Sequence, residues 1–437
     1  MAKKKAMRRV KRPSHPEVSR VPKVDTDELT DLLEYRYGGE GVVIQRAADL
    51  ETRFDLRRPC GIPQLDIACG GGLPAGGLSQ IDGPEGVGKN FLLNLYFAQC
   101  QKLYGDDARI FMLCLEFPFD KWYARACGVK VPLSSYEIQV EQRRRQKSDQ
   151  PLLTDAEAAE LQTGVGKFYI LRGPEAEALL DTTVEYVKSN AFQIGAVDSW
   201  DSMLTAPEEE KDLAEDAKVA NASNVQTRWM KKIQGALTPK KCCPVCFSSP
   251  LEFTRSKNNY LWSCKNGDCG WKGKDVYPDE NETTLIGIRQ VRARMNRTSM
   301  RQRAWHVGGA WSLKHGKLID IQLRPGERIL INNKWVGKEI VWELIKGKAG
   351  THEGKTGIYR YYFNPPEVDV VFDLVNLCIQ EGLVRSAGAY YTLSFGEERR
   401  FKGKAALVDA LEEEDELRNA LWQGALIHAG LGQVRHR

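Results

Sequence analysis

The sequence predicts an α/β protein: a mainly parallel sheet behind a phosphate-binding loop, a cysteine-rich insertion, and a small α+β domain at the C-terminal end. Three observations lead there. From residue 76 onward, short apolar runs alternate with segments of helical period, the pattern of parallel strands joined by crossover helices. A glycine-rich stretch, GPEGVGKN (83–90), falls between one such run and one such segment, the context a phosphate loop requires. Pro365 and Pro366 then interrupt the rhythm, a break that marks a boundary.

Taken in order, residues 1–25 carry Lys3, Lys4, Lys5, Arg8, Arg9, Lys11 and Arg12 with three prolines and almost no large apolar residues, the composition of a disordered basic arm. Residues 26–50 read as an N-terminal oligomerisation element made of a short helix, a glycine turn and a strand. The core is expected over 51–365. Its strands are GLSQID, RIFMLCLE, KFYILRG, IGAVDS and TLIGIRQV, and its helices FLLNLYFAQCQKLYG, EAEALLDTTVEYVKSN and NVQTRWMKKIQGAL. Two segments break the alternation and read as insertions, 131–166 (charged, with Arg143, Arg144 and Arg145) and 238–282 (the cysteines). In 366–437, EVDVVFDLVNLCIQEGLV reads as helix, AYYTLSFGEERRF as hairpin and KAALVDALEEEDELRNALWQGAL as helix.

Composition narrows the function classes. A chain of 437 residues, 42% of them hydrophobic, is long enough for two or three domains with real cores. No apolar run approaches the ~18 residues that cross a bilayer, so an integral membrane protein is not expected. The basic N-terminus lacks an apolar signal region, which points to a reducing compartment and free thiols. The 63 Lys+Arg against 58 Asp+Glu give a net charge of only +5, a weak hint of anionic partners.

In the phosphate loop, Gly83, Gly86 and Gly88 let backbone N–H groups curl around phosphate oxygens, with Pro84, Glu85, Val87 and Phe91 completing the segment. The next helix aims its N-terminus at the same oxygens, and Lys89 reaches the outer phosphates. Asn90 stands where Ser or Thr usually gives a hydroxyl to Mg²⁺; its amide oxygen is also a hard neutral ligand. Asp198 ends one strand and suits a magnesium-side carboxylate. Glu116 ends another and suits the group that orients and deprotonates attacking water, although ordinary strand-end acids have the same pattern.

Five of the eleven cysteines lie between 242 and 269. Cys243-x2-Cys246 and Cys264-x4-Cys269 form two knuckles separated by strand-like residues, a tetrahedral thiolate set suited to structural Zn²⁺ in a zinc ribbon. Cys242 is the alternative to Cys243. The insertion's lysines suggest a basic face or a solubilising one. Cys60, Cys69, Cys100, Cys114, Cys127 and Cys378 are scattered among apolar residues and read as buried thiols.

The stretch RRPCGIPQLDIACGGGLPAGGLSQIDGPEGVGK resembles the entry to the ATPase core of the RecA family of strand-exchange recombinases. The resemblance spans about residues 30 to 425 outside the insertions, and is nearer to bacterial and phage members. It implies a RecA-type P-loop core with Glu116 as the catalytic glutamate, Asp120 and Tyr123 at adenine, Asp198 on the magnesium side and Gln290 sensing the γ-phosphate. IKGKAG resembles the family's lysine pair, which implies that Lys346 and Lys348 reach a neighbouring subunit's ATP. Between Gln290 and the glycine pair Gly308 and Gly309, the resemblance places the second DNA-binding loop. That stretch holds Arg292, Arg294, Arg297, Arg301 and Arg303 without one acidic residue, a phosphate-gripping composition, and Met295 is placed to wedge between bases. The first DNA loop falls at about 205–221, and Lys231 matches a basic family position.

The expectation is therefore an ATP- and Mg²⁺-dependent recombinase that forms helical filaments on single-stranded DNA, pairs it with duplex DNA, and holds ATP between protomers. Its expected setting is the cytoplasm of a bacterial cell or phage-infected host. Two alternatives stand beside it: a weakly hydrolysing accessory filament protein, and a hexameric RecA-fold helicase or motor.

Overall fold

The structure is a computed structural model, and it describes residues 26–37, 39, 42, 44, 56–202, 220–248, 251–257, 259–274, 276–293, 305–306, 315–394 and 399–431. The chain forms two units, one comprising Met1–Leu50 with Lys240–Asp279, the other Glu51–Pro239 with Glu280–Arg437.

The larger unit is built on a nine-stranded sheet. In chain order its strands are β1 (Gly77–Gly83), β2 (Arg109–Cys114), β3 (Lys167–Leu171), β4 (Ile194–Asp198), β5 (Thr284–Gln290), β6 (Lys317–Ile331), β7 (Lys334–Gly347), β8 (Thr356–Phe363) and β9 (Pro366–Val368). Their spatial order is β9-β8-β7-β6-β1-β5-β4-β2-β3. The run from β6 to β3 is parallel, and β7, β8 and β9 extend it antiparallel. The strands β1, β4 and β5 are almost wholly buried because helices cover both faces, which is why they read as unbroken apolar runs. Helix α3 (Lys89–Tyr104) packs Phe91, Leu92, Tyr96 and Phe97 against Ile81, Ile288 and Ile321 on one face. On the other, α7 (Ala176–Ser189) and α8 (Ala220–Ala236) bury Leu180, Val184, Trp229 and Ile233 with Phe111 and Trp200.

Short helices α2 (Pro63–Ala68) and α4 (Lys121–Ala126) flank this core. The charged segment at 131–166 is a helical pair, α5 (Ser135–Lys147) and α6 (Asp155–Gln162). Each opens with a reciprocal capping box, Ser134 with Glu137 and Thr154 with Glu157, which satisfies two end N–H groups at once. The long β6–β7 hairpin turns at Asn332 and Asn333, both with positive φ.

After β9, α9 (Val370–Gln380) starts three residues later than the apolar run beginning at Glu367. The cause is Asp369, which caps the helix by accepting from the N–H of Phe372 at 2.8 Å, while Pro366–Val368 pair with β8. A three-stranded sheet, Val384–Ala387, Tyr390–Leu393 and Arg400–Lys402, follows. The continuous helix expected next is two, α10 (Lys404–Glu413) and α11 (Asp415–His428), because Glu414 adopts an extended conformation between them. Their leucines Leu407, Leu411 and Leu421 pack on Leu374 and Leu377, and the same cluster takes in Ile67 of α2.

In the smaller unit, α1 (Thr26–Tyr37) packs on the cysteine-bearing insertion. Lys240–Cys242 pairs with Tyr277–Asp279, and Glu252–Ser256, Asn259–Ser263 and Lys272–Gly273 form a small antiparallel sheet. Glu34 and Lys241 make an ion pair whose side chains are almost fully buried, with the Lys241 ammonium 4.5 Å from the centre of the Trp262 ring. The Tyr35 hydroxyl donates to the carbonyl of Ser256 at 3.0 Å. Val42 and Ile44, within the strand expected after the glycine turn, are not in a strand.

Candidate nucleotide site and thiolate centre

The parallel strands β1, β2, β4 and β5 lie side by side, so their carboxyl ends meet at one edge of the sheet: Gly83 stands beside Gln290 and Cys114 beside Asp198. In open α/β sheets this edge is where ligands bind. From Gly83 the loop turns through Gly86 (φ +67°) and Gly88 (φ +114°) into α3. The positive φ at Gly88 favours glycine, and a Cβ there would also come within 2.9 Å of the end of the Ile340 side chain, which would have to shift. Lys89 is buried, and its ammonium donates to the carbonyls of Gly83 at 3.0 Å and Pro84 at 2.9 Å. Burial pulls its pKa down, opposed by the nearby carboxylates of Asp198 and Glu116.

Two acids face this lysine. Glu116 accepts from the Gln290 side chain at 3.0 Å and from the Ser199 hydroxyl at 2.8 Å. The Gln290 backbone N–H is in turn held by Asp201 at 2.8 Å. Asp198 is pushed up to about 6, first by burial and then by Glu116, with a hydrogen bond from Asn90 acting the other way. Lys89, Asn90, Glu116, Asp198 and Gln290 thus line one cleft of about 310 Å³, together with Glu85, Gly86, Gly88 and Phe91. Of the remaining loop residues, Pro84 is half-buried and Val87 is buried.

The far wall is aromatic. Tyr123 and Tyr361 line it with their hydroxyls 3.1 Å apart, and Phe91 lies beneath with its ring 4.1 Å from that of Tyr361. Asp120 is exposed and caps α4, accepting from the N–H of Tyr123 at 3.0 Å. Ser199, Asp201 and Tyr361 were not singled out from the sequence. The motif VDSWD carries the first two next to Asp198, but Tyr361 arrives on an antiparallel strand that the sequence pattern did not reveal.

Other expected site residues stand apart. Lys346, near the far end of β7, and Lys348, just past it, do not line the cleft. The Lys346 ammonium donates to the carbonyl of His315 at 3.1 Å, and burial, then the neighbouring Lys348, lower its pKa to about 8. Lys348 is exposed, as is Lys231 on α8. Arg292 and Ala293 pair with Trp305 and His306 in a two-residue ladder. Arg294, Met295, Arg297, Arg301, Arg303, Gly308 and Gly309 lie outside the described residues, as does 203–219, most of the expected first DNA loop.

In the smaller unit, the Sγ atoms of Cys243, Cys246, Cys264 and Cys269 all lie within 4.8 Å of one another. The separations are 3.6 Å for Cys243 with Cys269 and 3.5 Å for Cys246 with Cys264. Four sulfurs each ~2.3 Å from a tetrahedral zinc lie roughly 3.8 Å apart, so the set fits the ion and leaves no open position. The Ser248 hydroxyl and N–H lower the Cys246 thiol to about 6, favouring the thiolate that metal binding needs. Cys242 is buried in the adjoining strand, raised by burial to about 11, and lies outside the set. Of the two alternatives, Cys243 is the one the fold brings to the cluster.

No family model matches the chain. It is similar to the RecA protein of Oleidesulfovibrio alaskensis, 23% identical over 408 residues that cover 91% of this chain and 90% of that one. It is likewise 23% identical to the RecA proteins of Thermus thermophilus, over 90% of this chain and 91% of that one, and Chlorobaculum tepidum, over 92% and 93%. These likenesses are distant, but each runs through about nine-tenths of both chains, and with the mainly parallel sheet they support a place for the chain in the RecA family.

Proposed function

We propose that this chain is an ATP-dependent DNA recombinase of the RecA type, which assembles as a helical filament on single-stranded DNA and promotes homologous pairing and strand exchange. The observation that carries this reading is the convergence of Lys89, Glu116, Asp198 and Gln290 on one cleft beside a glycine loop and a helix N-terminus. Loop N–H groups and the α3 N-terminus bind the phosphates, and Lys89 exchanges its carbonyl partners for phosphate oxygens. Asn90 and Asp198 hold magnesium, which when bound neutralises phosphate charge. Glu116 orients water and takes its proton. Because Gln290 donates to Glu116 and also opens the arginine-rich loop, DNA on that loop and the water-orienting acid share one hinge residue. The four cysteines hold a structural zinc.

Lys346 and Lys348 serve a neighbouring protomer's nucleotide in this reading, since they lie off their own cleft. Their alanine variants should bind ATP but lose hydrolysis in filaments. Mixing them with an Asp198→Ala protomer should restore activity at interfaces that combine an intact lysine pair with an intact cleft. Co-assembly without recovery would exclude action between subunits. One observation favours a second reading: Asn90 engages Asp198, which suits an accessory filament protein that binds ATP and hydrolyses it slowly. A strand-exchange assay with ATP and with a slowly hydrolysed analogue separates the two. Exchanged products with ATP, accompanied by DNA-stimulated hydrolysis, are expected. ATP binding without pairing would favour the accessory protein, and unwinding without pairing a hexameric motor.

A further inference from the structure

A lysine outside every motif touches the phosphate loop. Lys338, on β7, donates from its ammonium to the carbonyl of Gly86, while Lys89 donates to the carbonyls of Gly83 and Pro84. The loop is therefore addressed by two ammonium groups, one from its own helix and one from an antiparallel strand. Lys338 sits opposite Tyr361 in the β7–β8 ladder, with its Nζ 5.9 Å from the centre of that ring, and Tyr361 and Gly86 both line the cleft.

Its electrostatic situation is unfinished. Lys338 is half-buried, and burial lowers its pKa. Among the described residues no carboxylate lies within ion-pair distance of it: the adjacent Glu339 pairs with Arg360, and Glu343 pairs with Arg324. A partly desolvated cation whose partner is a main-chain carbonyl is incompletely compensated. A glycine loop that leads into a helix N-terminus is meanwhile a place where an anion collects. An anionic ligand on the loop would complete both.

We propose that Lys338 is a nucleotide-binding residue that serves the phosphate oxygens of a nucleoside triphosphate within its own chain. The inference rests on the nucleotide reading of the cleft. It makes Lys338 distinct from Lys346, near the other end of the same strand, and from Lys348, just past that end. The role is in binding, so its loss should appear in affinity and in KM, with kcat little changed.

The test uses the full-length protein and titration calorimetry with ATP and magnesium. Lys338→Gln should weaken ATP by about 10- to 100-fold, the usual worth of a hydrogen bond to a charged group. The melting temperature of the nucleotide-free protein should stay where it was, and Lys338→Arg, which keeps the charge, should recover most of the loss. Wild-type affinity in the glutamine variant would overturn the proposal. So would an equal loss in the arginine variant, or a loss accompanied by a lower melting temperature, which would make Lys338 a brace for the loop. If the unaltered protein fails to bind ATP, the nucleotide reading itself falls, and this inference with it.

Discussion

Asn90 concentrates the chemistry of the phosphate loop in one departure from the usual residue. A hydroxyl at this position is short and reaches a metal directly, whereas an amide is one bond longer and carries its donor on a nitrogen separate from its acceptor oxygen. In this structure the donor has a use, because Asn90 hydrogen-bonds Asp198, whose carboxyl burial and Glu116 push up to about 6. Glu116 is held on both oxygens, by Gln290 at 3.0 Å and Ser199 at 2.8 Å, a geometry that fixes where its basic lone pairs point. Glu116→Gln should therefore keep ATP binding and lose about 10²- to 10⁴-fold in hydrolysis, the range for removing a general base. Steady-state turnover and equilibrium binding measured on the same preparation check this, and unchanged turnover would remove Glu116 from the reaction. Asn90→Thr should raise DNA-stimulated turnover, and no rise would mean that the site works with the amide.

Among the elements, α1 and the cysteine insertion depend on each other. The helix is short and polar, with Leu29 and Leu32 exposed, and an isolated helix of 12 residues is marginal in water. What holds it is the insertion, through the Glu34–Lys241 pair, the Tyr35 hydroxyl on Ser256, and Arg255, which donates to the carbonyl of Arg36 at 2.7 Å. Removing zinc with a chelator, or replacing Cys246 by Ser, should release about one zinc per chain and expose α1 to protease. ATP affinity should be retained, because the cleft belongs to the other unit. Metal analysis and limited proteolysis read both effects, and an α1 equally protected without zinc would show that the thiolates do not support it. The sequence revealed the ligands because knuckle spacing is a local property. It did not reveal their helix, because Glu34 and Lys241 are 207 residues apart. The same distinction runs through the core. Strands buried on both faces were legible, and with them Lys89, Glu116, Asp198 and Gln290 at their ends. The β6–β7 hairpin was not, since its burial changes along its length, and it hid Lys338, while the strand paired with it hid Tyr361. The break at Glu414 was missed because nothing in a run of helix formers marks a single extended residue.

Across the larger unit, the part built on the nine-stranded sheet and the segment that follows β9 meet where α2 packs on α9, and this junction contains two buried carboxyls. Asp373 accepts from the Gln64 N–H at 2.7 Å; Asp66 accepts from the N–H groups of Cys60 at 2.8 Å and Gly61 at 2.7 Å. Burial raises Asp66 from 3.8 to about 7. It raises Asp373 from 3.8 to about 8, with the Asp66 charge adding to the rise. Between those limits the folded chain holds protons that the unfolded chain has released, so stability falls as pH rises. The contribution is present in full below about pH 4 and is lost as pH passes through 7 to 8. The protein should melt several degrees lower at pH 8.5 than at pH 6, because one pH unit of proton linkage at Asp66 and two at Asp373, at ~1.4 kcal/mol each, amount to about 4 kcal/mol. In Asp373→Asn the side-chain carbonyl still accepts from Gln64, but nothing ionises. That variant should match the original near pH 4, exceed it increasingly from there to pH 8.5, and show a shallower pH dependence, with Asp66 supplying much of what remains. Thermal melts across the range decide the matter: the original slope in the asparagine variant would mean that the pH sensitivity does not arise at this junction.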